Sequence, residues 1–313
     1  MSPFTVGPLV DFNDLNFHGM MLSNGEKYLA FAKALRPLVQ GRVVAEVGAG
    51  VGVLSFIAAE LGARRVLAVE QSVEPTSIMK DLLPEYPKAM RAIGVLCGSH
   101  REFVQELKFA DIVFSETIGY FGFEEGISMI LSELHRHSPG AYFLPLAMSV
   151  DAHPLVHAGR SVSKLCLARA PIPSFPAKAL VSPSEFSPLW RHEHIPELNY
   201  SWCLHQDVTV VGFMTSFECK LNSSITITNR VGFWPRARVL FRNPLPLHKG
   251  DIFKLQLRIS PDGRLTIRYG TDLHEELAIQ LSPGNTELLD VSYETETVTS
   301  LGAKVRRIVE QVR

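Results

Sequence analysis

The sequence predicts an α/β domain built on a parallel sheet, followed by an antiparallel β-barrel domain with an inserted arm. Three observations carry that expectation. Residues 42–70 read as strand, glycine-rich turn, helix, strand and terminal acid, the pattern of a βαβ unit. Phe109 to Phe114 is another apolar strand-like run, carrying Asp111, and it leads into the loop SETIGYFGFEE, bracketed by Glu116 and Glu125. After Pro145 the text changes to short runs in which apolar and polar residues alternate, as half-buried antiparallel strands do. The expected boundaries are 1–145 for a leading helix and the first domain, and 146–313 for the second, with 159–200 as the arm.

Composition excludes several classes. The chain has 313 residues, 46% hydrophobic and 20% charged, enough for two domains with real cores. A net charge of -1 offers no basic field for nucleic acid. Cys97, Cys166, Cys203 and Cys219 form no CxxC pair and the histidines show no metal spacing, so no metal site or disulfide framework is expected. Reduced thiols suit a cytoplasmic protein. The first residues lack a basic n-region followed by an apolar h-region. No apolar run reaches the roughly 18 residues needed to span a bilayer, so no membrane partner is expected.

Residues 1–20 show no clear periodicity. Leu29, Phe31, Ala32, Leu35 and Leu38 recur at helical spacing and predict a helix before the first strand. Arg42 to Val47 is a Val-rich strand that runs into Gly48, Gly50 and Gly52. Val53 to Leu61 is a helix, closed by Gly62. Arg65 to Val69 is the second strand, ending at Glu70. Glycines at the turn let the backbone approach a ligand closely, and the following helix start presents free N–H groups. Glu70, one strand over, is placed to accept bonds from two ribose hydroxyls. The spacing is GxGxG, not the dinucleotide GxGxxG, and Glu46 precedes the first glycine. Both departures point to S-adenosylmethionine (SAM), with Glu46 near its amino-acid end and Leu54 and Gln71 beside it. A tight βα turn with no ligand is the plain alternative.

Ala92 to Cys97 is a third strand. The following Gly98 to Glu102 sits where such folds meet an adenine ring, which makes Ser99 and His100, with Arg101, candidate contacts; a solvent-exposed loop is the other reading. Gly126 to His135 is a helix with Ile127, Ile130, Leu131 and Leu134 inward. In the second half, 208–213, 224–228, 238–241, 253–259 and 265–269 read as strands, with Asp262-Gly263 as a hairpin turn. Pro-rich and aromatic text interrupts them at 159–200. Ser300 to Arg313 is a helix with Val305, Ile308, Val309 and Val312 on its apolar face.

Taken together, EVGAGVG, the acid at Glu70 and the loop Ser115-Glu116, Gly119-Tyr120, Glu125 resemble the protein arginine methyltransferase family, over nearly the whole chain. Many methyltransferases have the glycine loop, whereas few have the paired acids. The resemblance implies a Rossmann-like SAM-binding domain, a β-barrel, an arm that mediates dimerisation, and hence a homodimer. It also implies that His18, Met21, Leu22 and Lys27, on the leading helix, belong to the cofactor site. The departures are specific. Lys27 stands where the family usually has an Arg that contacts the cofactor carboxylate, and lysine supplies the charge without the fork. Thr117 stands where an aromatic usually follows the first glutamate. Gly232-Phe233-Trp234 replaces Thr-His-Trp, keeping Trp234 and losing the imidazole. Arg101 occupies the position of an acid expected near the adenine amino group, with Glu102 or a backbone carbonyl as its substitute.

The expected chemistry is methyl transfer from SAM to a guanidinium nitrogen, leaving S-adenosylhomocysteine. Glu116 and Glu125 can bond a guanidinium from two sides, fix one nitrogen against the methyl group, and let Glu125 relay the released proton. Glu116, Glu125 and Trp234 form the expected catalytic set. Residues 1–145 carry 12 Lys+Arg against 16 Asp+Glu, and the remainder 19 against 16, so the barrel half is not acidic. With Arg236 and Arg238 near Trp234, this favours free L-arginine or a small guanidino metabolite over peptidyl arginine. The alternatives are a protein arginine methyltransferase, a methyltransferase acting on another nucleophile, and a silent SAM-binding scaffold.

Overall fold

In the computed structural model the described residues are 13–156, 165–168, 172, 174–182, 185–230, 235–260, 264–281, 287–289 and 296–313. The chain opens with α1 (Leu15–Leu22) and α2 (Gly25–Leu35). Periodicity gives no sign of the first, because residues 15–22 are apolar on most sides and show no stripe; the single leading helix implied by the resemblance is divided in two, with His18, Met21 and Leu22 on α1 and Lys27 on α2. Asp14 starts it by accepting from the Asn16 amide at 2.9 Å.

The βαβ unit follows as β1 (Val43–Val47), α3 (Val53–Glu60) and β2 (Arg65–Glu70). The region then continues with α4 (Val73–Leu82), α5 (Pro87–Ala92), β3 (Ile93–Cys97), α6 (Val104–Leu107), β4 (Ile112–Ser115), α7 (Ile127–His137) and β5 (Tyr142–Leu144). These strands form a parallel sheet in the order β3-β2-β1-β4-β5. The order reverses between β1 and β4, so the loops after those two strands flank the crevice where open α/β sheets bind ligands. The glycine turn follows β1 and the acid loop follows β4. The fourth strand starts later than Phe109, which is 70% exposed. Asp111 marks the true start: its amide donates to Val43 O and its carboxylate accepts from Val43 N, both at 2.8 Å.

From Ala147 the chain forms two further sheets. One joins β6 (Ala147–Leu155), β7 (Leu165–Ala168), β10 (Val208–Lys220), β11 (Thr226–Thr228), β12 (Arg236–Leu247) and β16 (Glu287–Leu289). The other joins β8 (Ala177–Val181), β9 (Leu198–Leu204), β13 (Ile252–Ile259), β14 (Arg264–Gly270) and β15 (Glu275–Gln280). All pairs are antiparallel except β7 with β16. The sheets meet face to face in a barrel-like core. Phe241 stacks on Tyr269 with ring centres 3.7 Å apart, and the Tyr200 hydroxyl donates to Val150 O at 2.9 Å. The 208–213 and 238–241 runs lengthen into long, bent strands. Gly212 allows the bend, since a Cβ there would collide with the β12 backbone. The 224–228 run shortens because Asn222 takes the amides of Ser224 and Ile225 in a turn, each at 2.9 Å. Asp262-Gly263 lies outside the described residues, but Ile259 faces Leu265 across an antiparallel pair.

The described part of 159–200 stays close to the body. β8 pairs with β9. Trp190 packs over Phe143 and His135, with ring centres 5.5 and 6.0 Å away. The last helix, α8 (Val298–Glu310), starts from a capping box between Thr297 and Ser300. It packs against α1, α2 and α3. Among the described residues no helix is long and apolar enough to cross a membrane.

Candidate active site

The site is built on the carboxyl edge of the parallel sheet. Gly48 turns the chain at φ +76°, and a Cβ on it would lie 2.5 Å from the Thr117 methyl of the acid loop. The two loops are therefore in contact at that point, and only glycine fits between them. Glu70 braces the turn: its carboxylate accepts from Gly50 N at 2.8 Å and from Ser72 N at 2.7 Å. A carboxylate has about four acceptor positions, so it can still receive hydroxyl donors. Glu46 is buried and hydrogen-bonded to the Ser55 hydroxyl on α3. Burial pushes its carboxyl up to about 8.

Beyond β4, Ser115 donates to Val47 O at 2.7 Å and bonds Thr117 at 2.9 Å. Lys27 Nζ on α2 meets Glu116 Oε2 at 2.8 Å, with the side chains 3% and 13% exposed. Burial would lower Lys27, but the Glu116 carboxylate outweighs it and holds the ammonium above its ordinary value. The loop then turns tightly, Gly122 N donating to Gly119 O at 3.1 Å. Thr215 on β10 donates to Tyr120 O at 2.8 Å and so ties the loop to the barrel. Glu125 is half-buried; burial and the neighbouring carboxylates of Glu124 and Glu116 hold its carboxyl well above the usual range.

Glu124 is a further acid that sequence reasoning passed over. It is buried, accepts from Phe121 N at 2.9 and 3.0 Å, and lies over Gly119, where no Cβ would fit. Burial pushes it up to about 7. Its signal was present in the sequence: two adjacent acids close a loop whose glycines leave room for an inward carboxylate.

Two cavities of about 40 Å³ each adjoin here. One is lined by His18, Glu46, Gly48, Gly50, Leu54 and Tyr28, and the other by Asn24, Lys27, Ile118, Tyr120 and Glu125. Met21 and Glu116 line both. Roomier grooves of about 640 and 600 Å³ lie away from the strand ends, without converging acids.

The structure thus brings together His18, Met21, Lys27, Glu46, Gly48, Gly50, Leu54, Glu70, Glu116 and Glu125. Gly52 serves as the start of α3 and faces Met79. Gln71 is exposed beside Glu70. Ser99 and His100 line neither cavity. His100 meets Glu133 on α7 at 2.7 Å, and Arg101 donates to both oxygens of that carboxylate at 3.0 and 2.9 Å. Glu102 is occupied in capping, accepting from Ser99 N at 2.8 Å. Trp234 lies outside the described residues. Arg236 and Arg238 are buried and alternate with Ala237, whose strand position faces Thr215 and the acid loop. Their side chains therefore leave β12 on the other side, where Arg236 donates to Asn229 O at 2.6 Å and Arg230 O at 2.9 Å.

The glycine cradle, the braced Glu70 and the adjoining acids fit the donor and acceptor groups of SAM. No protein-family model matches the chain. In sequence it is 31% identical over 145 residues to protein arginine N-methyltransferase 1 of Dictyostelium discoideum, 43% of this chain and 40% of that protein. It is 26% identical over 167 residues to the probable protein arginine N-methyltransferase 6 of Arabidopsis thaliana, 50% of this chain and 37% of that protein. The matches thus span about 40% of the length of these relatives. In structure it is similar to the Trypanosoma brucei PRMT1 enzyme-prozyme heterotetrameric complex with AdoHcy, at TM-score 0.61 and 15% identity, over 86% of this chain and 98% of that one. A PRMT6 structure with SAH gives 0.62 and 16% identity, over 82% and 99%. The fold is that of these methyltransferases, and the resemblance read from EVGAGVG and SETIGYFGFEE is borne out.

Proposed function

We propose that this chain is a SAM-dependent arginine N-methyltransferase acting on arginine in a peptide or protein. One observation carries the reading: Glu116 and Glu125 line a single cavity that shares Glu116 and Met21 with the cavity under the glycine loop. Bound there, SAM would supply an electrophilic methyl group. The chain's own residues do the rest. Glu70 and the loop amides bind polar groups of the cofactor, while Lys27, expected at its carboxylate, is paired with Glu116 and lines the other cavity. Glu116 and Glu125 orient the guanidinium. Lys27 already balances Glu116, and burial with the neighbouring carboxylates raises the Glu125 carboxyl well above the ordinary range. An arriving cation favours the ionised form of Glu125, so any proton held there is expelled on substrate binding.

The peptidyl reading is preferred to free arginine on two grounds. The relatives are named for protein substrates. Arg236 and Arg238, the cations that favoured a free α-carboxylate, leave β12 on the side away from the acid loop. Incubation with SAM should methylate a basic Arg/Gly peptide and leave free arginine unchanged; the reverse outcome removes the peptidyl reading. SAH binding without any turnover would favour the silent scaffold. A homodimer through 159–200 belongs to the same proposal, supported by Leu180 and Val181, exposed on the edge strand β8.

A further inference from the structure

The last helix is fastened to the helix that covers the glycine loop. On α8, Leu301, Val305, Ile308 and Val309 are buried, and the helix packs on α1, α2 and α3. The polar contacts concentrate on α1. Asn16 Oδ1 accepts from Glu296 N at 2.8 Å. The Glu296 carboxylate is buried, pairs with Lys304, and accepts from the Ser300 hydroxyl at 2.6 Å. That carboxylate presses against Gly19 so closely that a Cβ there would collide with it. Lys304 Nζ also reaches Gly19 O, at 3.4 Å. The far end of α8 is held separately: Arg36 donates to Val312 O at 2.6 Å, and Arg313 meets Glu60 at 3.0 Å.

An eight-residue helix such as α1 has little stability of its own. Its position is set by what it packs on. It covers the cradle, since a Cβ on Gly50 would lie 3.6 Å from His18 Cε1. The cavity beneath is about 40 Å³, whereas small-molecule sites run to about 300–1,000 Å³. A ligand of nucleoside size therefore needs α1 to move outward, away from its contacts with α8.

We propose that Glu296 and Lys304 are positioning residues that latch α1 over the cofactor cavity and set the rate at which cofactor enters and leaves. The latch rests on the cofactor reading above. Because Arg36, Arg313 and the apolar side anchor α8 independently, cutting the latch frees α1 rather than the whole helix.

The test follows dissociation of labelled S-adenosylhomocysteine from the full chain, together with amide hydrogen exchange of α1 without ligand. Lys304→Met should raise the dissociation rate about tenfold, the scale of losing one hydrogen bond to a charged group, and speed exchange in α1, with Lys304→Arg restoring both. Arg306→Ala should change neither, since that exposed cation on the same helix pairs with Glu85 instead. Unchanged dissociation in Lys304→Met, or equal acceleration by Arg306→Ala, overturns the latch. If Lys304→Met does not fold, Gly19→Ala, which displaces Glu296, carries the same expectation. Failure of the wild-type chain to bind S-adenosylhomocysteine removes the cofactor reading and the latch together. Binding with unaltered release removes the latch alone.

Discussion

Gly48→Ala, paired with Thr117→Ser, tests whether the glycine turn and the acid loop are one packed unit. At φ +76° an alanine costs about 1–2 kcal/mol relative to glycine. Its Cβ would also sit 2.5 Å from the Thr117 methyl, well inside contact distance. Thr117 must then rotate away, straining its 2.9 Å bond to Ser115; overpacking of this kind costs about 1–3 kcal/mol. The single substitution should therefore destabilise by about 2–5 kcal/mol. Serine at 117 deletes the offending methyl and keeps the hydroxyl. The double variant should recover at least ~1 kcal/mol relative to the sum of the singles, a coupling typical of side chains in contact. Urea denaturation of the four proteins measures this directly, at constant m-value. Strict additivity would refute the claim that the loops touch there, and the shared geometry of the site would have to be redrawn.

Other expectations follow from the same geometry. Glu125→Gln should lower turnover by at least ~100-fold, the scale of removing a proton-accepting group, while S-adenosylhomocysteine affinity stays within about threefold; unchanged turnover by methyl-transfer assay counts against the clamp. The wild-type KM for peptide should fall as pH rises through the elevated range of Glu125, because only its ionised form pairs with the cation; a flat profile contradicts the proton expulsion. Glu46 at about 8 and Glu124 at about 7 are raised above ordinary carboxylates, so the folded state binds their protons more tightly than the unfolded chain does. The stability they add is present below about pH 4.5 and is lost as pH rises towards 8. Glu46→Gln should flatten that decline in denaturation midpoints between pH 5 and 8, and an unchanged slope assigns it elsewhere. Thr215→Val leaves the Tyr120 carbonyl short of its donor and should destabilise by about 1–3 kcal/mol, read as a loss in melting temperature with a fall in kcat; a neutral outcome means the barrel does not hold the loop.

Much of this molecule is legible in its text because the informative residues are local. Arg42 to Glu70 declares strand, turn, helix and strand through a Val run, positive-φ glycines and a helical apolar stripe, each set by neighbours within a few positions. The acid loop is legible because paired acids around glycines are rare beside a buried strand. What stayed hidden is non-local. α1 carries no stripe, since it is covered on several sides by α8 and by the glycine loop. Glu124 stands beside Glu125 with no reading of its own; the turn that brings Phe121 N to it gives it a task. Arg236 and Arg238 looked like site cations, but alternation along β12 sends them to the side opposite Ala237 and Thr215.

The acid loop marks the division most clearly. By itself the sequence determined that Glu116 and Glu125 lie on the loop that follows a buried strand, in the same domain as a glycine turn, because spacing and residue type dictate that much. It also determined the kind of group such acids can hold. Tertiary structure decided which cation stands there first, Lys27, since α2 reaches Glu116 only through packing. It also decided that Glu116 belongs to two cavities at once, and that a helix from the far end of the chain holds the cover. Those outcomes depend on contacts between segments up to 285 positions apart, which no local pattern encodes.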